Sequence, residues 1–195
     1  MLLLVLLAAP YWPGTVDDVY ITVGFARQWA ETGALTWTDG VRVEGYSNFQ
    51  LVALLALGIG LGADGAVLAQ CIALGCGVAI VSVASWKMPR TRLGTIAVMG
   101  LAVWNPLCRW SVIGMETTLY ALLLSLGWMA AISGQRWFGH AVWLLVIASL
   151  TRPEGAACIL FVLFTQALGP IGTTKRDFVA IIGMSSLLVY HTGRV

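Results

Sequence analysis

A 21-residue run from Ala66 to Trp86 carries no charged side chain, and it constrains the fold more than any other stretch of the chain. About 20 consecutive apolar residues are what an α-helix needs to cross bilayer hydrocarbon, where every backbone polar group must be satisfied internally. Shorter or interrupted apolar blocks follow at Leu93–Trp104, Thr117–Ser133, Trp137–Leu150, Gly155–Gly169 and Phe178–Tyr190. Uncharged and aromatic flanks can extend each of them. The chain is 59% hydrophobic and only 10% charged, with a mean hydropathy of +0.87, whereas an ordinary soluble domain carries about 25% charge. The expectation is an all-α, polytopic transmembrane helical bundle whose first partner is the lipid bilayer. No glycine-rich nucleotide loop and no basic stripe is present, so nucleic acid is not an expected partner.

Two apolar segments resist being counted as spans. Met1–Pro10 is too short to cross unaided, and it lacks the basic start and cleavage pattern of a secretory signal. Phe49–Ala63 is uncharged, but Gly58, Gly60 and Gly62 crowd its end and Asp64-Gly65 closes it, which suits an interfacial or re-entrant helix. Charge decides between the two counts. If Phe49–Ala63 does not cross, the inner connectors hold Lys87, Arg90, Arg92, Arg136, Lys175 and Arg176, with Asp177 as their one acid. Every other acid then falls outside, together with Arg27, Arg42, Arg109, Arg152 and Arg194. That arrangement satisfies the positive-inside rule; counting Phe49–Ala63 as a span reverses it. The expected organisation is one transmembrane module over 1–195, with a first external loop at 11–65 and transmembrane helices over 66–190.

The outer side collects the polar chemistry. Asp17 and Asp18 open a segment, Val19–Thr32, with helical spacing of Val19, Val23, Ala26 and Ala30, and Gly33 is a natural stop. Adjacent helical residues diverge by about 100°, so one acid is expected as N-cap and the other is free to face a cavity. The helix N-terminus favours a carboxylate in its ionised form, as a base requires. Three more polar segments fall on the same side: Gly40–Asn48, Ile113–Thr118 and Arg152–Gly155. Taken singly, each reads as a surface loop, or as an Arg and Glu paired at a helix break. Cys71, Cys76, Cys108 and Cys158 have no metal-ligand spacing and read as small core residues.

Together these segments resemble a known family. Asp17-Asp18-Val19-Tyr20-Ile21-Thr22, Arg27, Gly33, Arg42-Val43-Glu44-Gly45-Tyr46-Ser47-Asn48, Gly114-Met115-Glu116-Thr117 and Thr151-Arg152-Pro153-Glu154-Gly155 look like bacterial GT-C glycosyltransferases. The nearest group is that of the mycobacterial terminal β-(1→2)-arabinofuranosyltransferase and its relatives. The order and spacing match over nearly the whole chain, which corresponds to about the first half of a typical member, so an N-terminal portion of such an enzyme is expected. Members usually carry an Arg where this chain has Gly24. The resemblance implies a GT-C-like bundle with an extracytoplasmic first loop bearing interfacial helices. The implied localisation is the bacterial cytoplasmic membrane, multi-pass, with the site facing outside.

The implied reaction is inverting transfer of a sugar from a polyprenyl-phosphate donor to a cell-envelope glycan or lipid acceptor. Phosphate leaves without a general acid, unlike the leaving group of a glycosidase. One carboxylate suffices as base, which assigns Asp17 or Asp18 as catalytic by resemblance. Arg27 and Arg152 are the candidates for the donor phosphate, since guanidinium holds phosphate bidentately. Glu44, Tyr46, Asn48, Glu116 and Glu154 are expected to line the substrate region. No resident cofactor is required by this chemistry, and a divalent metal is left open. A catalytically silent fragment or assembly partner is the rival reading. Transport ranks lower, because the polar residues gather at outer ends rather than at mid-span.

Overall fold

The computed structural model describes residues 1–37 and 45–167, and every element among them is helical. Glu44, Arg42, the Thr173–Asp177 connector and the Phe178–Tyr190 block lie outside the described residues. In chain order the helices are α1 (Leu2–Ala8), α2 (Asp17–Thr32), α3 (Phe49–Gly60), α4 (Gly65–Lys87), α5 (Arg92–Val103) and α6 (Asn105–Trp110). Then come α7 (Thr117–Ile132), α8 (Phe138–Thr151) and α9 (Gly155–Ala167). Short 3₁₀ turns at Ala9–Tyr11 and Gln135–Trp137 extend α1 and lead into α8.

The long uncharged run becomes α4, whose 23 residues reach about 34 Å at 1.5 Å per residue. Among the described residues it is the one helix long and apolar enough to cross a membrane. Its N-terminus is set by Asp64, whose Oδ1 accepts the Val67 amide at 2.9 Å. Asp64 therefore starts α4 rather than merely closing the segment before it. The Phe49–Ala63 segment forms a 12-residue helix of about 18 Å, well short of bilayer thickness. Its Asn48 N-cap position has no side-chain cap bond, because the Asn48 amide is engaged elsewhere. The stretch 105–116 between two apolar blocks contains α6, with Pro106 in its first turn, where the missing N–H costs nothing.

The chain divides into two units, Met1–Leu119 and Tyr120–Val195, with the boundary in the first turn of α7. In the first unit α4 serves two cores. On one side Val19, Val23, Phe25 and Ala26 of α2 pack with Leu51, Val52 and Leu55 of α3 against Ala69. On the other, Leu4 and Ala8 of α1 meet Val81, Ala102 and the α6 residues Leu107 and Cys108. The buried stripe of α4 is mostly small residues, Ala69, Ala73 and Gly77, one turn apart. A Cβ at Gly77 would lie 2.8 Å from the Ser111 Cβ, so the backbones meet there only because the residue is glycine. Burial pushes the Cys108 thiol up from its ordinary range, in keeping with a small core residue rather than a reactive one.

In the second unit α7 and α8 pack closely at Gly127, where a Cβ would stand 2.8 Å from the Leu145 Cδ2. Trp128 of α7 meets Phe161 of α9 edge-on at 5.6 Å. Pro153 interrupts the run between α8 and α9.

Candidate functional site

α2 begins at Val16, extended at φ −91° and ψ 153°, with no side-chain cap. Asp17 and Asp18 are its first two helical residues, so neither is the N-cap, correcting the expected division of labour. Valine occupies that position and leaves both acids in the first turn, where the helix dipole favours negative charge. Both are exposed. Their neighbours separate them. Asp17 shares its face with Tyr20 and Ile21, three and four residues on, and both of these are exposed. Asp18 lies one turn before Thr22, which is buried.

Thr22 opens a buried polar chain. Its Oγ1 donates to the Asp18 carbonyl at 3.2 Å and accepts from the Asn48 Nδ2 at 3.1 Å. The same Nδ2 donates to the Glu116 Oε2 at 3.1 Å. Thr22 and Asn48 are each 5% exposed and Glu116 is 2% exposed, so this chain is desolvated and each bond is worth more than at the surface. Asparagine at an N-cap ordinarily bonds its own helix; Asn48 instead ties α2 to the segment preceding α7. Three of the motif segments read from the sequence thus meet in contact.

Glu116 reaches Asn48 because the backbone before it is held on α4. Gly114 has φ +89°, and a Cβ there would stand 3.3 Å from the Ala69 Cβ and the Gln70 amide nitrogen. One turn along, the Thr118 Oγ1 donates to the Ala73 carbonyl at 3.0 Å. Gln70, itself buried, donates from Nε2 to the Trp12 carbonyl at 2.8 Å, anchoring the strand of chain that leads to the acid pair. Neither Thr22 nor Gln70 was singled out from the sequence. Gln70 had a signal, as a polar side chain inside an uncharged run of spanning length. Thr22 closes the motif that opens with the acid pair, but no role was given to it there.

Arg27 is exposed and follows Asp18 by nine residues, about 14 Å along the axis and on the opposite helical face. Tyr46 packs its ring edge-on against Phe25 at 4.9 Å, and Trp37 covers the other part of Phe25 at 4.8 Å. The Trp37 ring also lies 3.3 Å from where a Gly24 Cβ would stand, so an indole fills the space that a longer residue at 24 would need. In the second unit Arg152 Nη2 and Glu154 Oε1 are 3.5 Å apart, with side chains 6% and 52% exposed. A guanidinium whose carboxylate partner reaches solvent can exchange it for a phosphate oxygen. Among the described residues no three His, Cys, Asp or Glu side chains gather where they could hold a metal ion.

No family model matches the chain, and neither the curated proteins nor the solved structures compared with it contain a match.

Proposed function

We propose that the chain is a GT-C-like membrane glycosyltransferase, or the N-terminal portion of one. It moves a sugar from a polyprenyl-phosphate donor to a cell-envelope glycan or lipid acceptor outside the cytoplasmic membrane. The observation that carries this reading is the buried Thr22–Asn48–Glu116 chain. It joins three segments on which the family resemblance rests and ends at the backbone of Asp18.

In this reading Asp18 is the base. Its carboxylate takes the proton of an acceptor hydroxyl as that oxygen attacks the anomeric carbon from the face opposite the phosphate. The carbon–oxygen bond to phosphate breaks, its electron pair stays on the phosphate, and the sugar inverts. Asp17, on the more exposed face, has no part in the proton transfer.

A multi-pass arrangement is favoured by the apolar exposure of the shorter helices. Along α5, Leu93, Ile96, Met99 and Val103 recur at helical spacing with exposures of 78%, 65%, 56% and 46%, a stripe suited to lipid rather than water. Lys87 lies over the Trp86 ring at 4.3 Å and Arg136 over Trp137 at 5.3 Å, as basic and aromatic anchors do at a membrane surface.

The test supplies membranes carrying the full chain with radiolabelled polyprenyl-phosphate sugars and a panel of envelope glycan and lipid acceptors. Labelled glycoside of inverted anomeric configuration is the expected product. Label that stays on the polyprenyl phosphate with every acceptor contradicts the reading and favours a silent assembly partner.

A further inference from the structure

We infer that Thr22 is a positioning residue for Asp18, acting through Asn48 and Glu116. This rests on the reading of Asp18 as the base. Every hydrogen in the chain has one place to go. A hydroxyl has one hydrogen, and that of Thr22 goes to the Asp18 carbonyl, leaving its oxygen to accept from Asn48. The Asn48 amide has two hydrogens, and Thr22 and Glu116 take them both. Turning that amide over would set its oxygen against a carboxylate, so the direction of every bond in the chain is determined.

This chain fastens the first turn of α2 without serving as its cap, since a hydroxyl donated to a carbonyl leaves the open N–H groups as they were. Val16 provides no side-chain cap, and an uncapped first turn frays. The Asp18 carbonyl accepts the Thr22 hydroxyl beside the backbone ladder, and a buried Asn48–Glu116 pair holds that hydroxyl in place. A back-bonded hydroxyl alone is commonplace: Thr32 bonds the Gln28 carbonyl in the same way at 2.7 Å, but it is exposed. Thr22 differs because a second helix and the chain before a third fasten it. The consequence is that the backbone bearing the Asp18 carboxylate is held on a turn that would otherwise move.

Hydrogen exchange of the full chain in lipid nanodiscs reads the turn directly, and transfer kinetics read its use. Thr22→Val is expected to raise exchange over residues 16–22 about tenfold. It should lower kcat about tenfold with KM within about twofold, the value of one lost buried hydrogen bond. Thr22→Ser restores both, and Thr32→Val changes neither. Should Thr22→Val not fold, Asn48→Ala breaks the same chain at its centre and gives the same local rise in exchange. Wild-type exchange over residues 16–22 in whichever of these variants folds overturns the inference. A wild-type chain without transferase activity sinks the sugar-transfer reading instead, and the exchange arm then still decides whether Thr22 holds the turn.

Discussion

Asn48 is the residue on which the first unit's polar interior turns. Its single amide nitrogen bridges a hydroxyl on α2 and a carboxylate that is 2% exposed. Asn48→Leu keeps the volume but removes a donor from a buried carboxylate, and should destabilise the protein by about 1.5–3 kcal/mol. Glu116→Gln keeps an oxygen acceptor for the same amide and should cost less. Thermal unfolding in detergent gives both values, and equal losses would mean that the charge rather than the hydrogen bond matters. Gly114→Ala is a second test at this scale, because φ is +89° there and the new Cβ would press on Gln70. A loss of about 1–2 kcal/mol is expected from the left-handed backbone alone. The acid pair, Asn48 and Glu116 were all legible as chemistry in the sequence. Their pairing was not, because contacts 26 and 68 residues apart depend on how α2, α3 and the residues before α7 are carried by α4.

At the scale of the element, the apolar blocks mapped closely onto helices because hydrophobic content and length dominate there. Ala66–Trp86 became Gly65–Lys87, and Thr117–Ser133 became Thr117–Ile132. The ends were harder to read. Asp64 looked like the close of one segment and is the cap of the next. The first turn of α2 looked as though it used an acid for its cap and uses Val16. α6 went unread because six residues carry too little periodicity. These end effects are measurable. Val16→Thr supplies a capping hydroxyl while keeping nearly the same shape, and should stabilise by about 0.5–1 kcal/mol. Asp64→Ala should cost about 0.5–2 kcal/mol by releasing the Val67 amide. A Val16→Thr chain that melts below the parent would show that the site is too closely packed for a hydroxyl.

At the scale of the molecule, the helical content and the one helix of spanning length among the described residues were both readable from apolar run length. The number of crossings was not, since helices of 12 to 16 residues fall short of about 20 and depend on their flanks and neighbours. The charge distribution supplies the expectation that Asp17 and Asp18 face outward and Arg90 and Arg136 inward. Single cysteines placed at Gly14 and Gln135 in a chain whose own four cysteines are replaced by alanine should label from opposite sides of sealed vesicles.

The central claim is that Asp18, held by the Thr22–Asn48–Glu116 chain, is the base of a sugar transfer. Its most direct measurement is the transfer rate of Asp17→Asn and Asp18→Asn side by side, in nanodiscs, with a polyprenyl-phosphate sugar saturating. Loss of a base of this kind costs about 10²–10⁴ in rate. A fall of at least about 100-fold is expected for Asp18→Asn and of less than about tenfold for Asp17→Asn. Equal activity in the two variants, or the larger loss in Asp17→Asn, would contradict that claim.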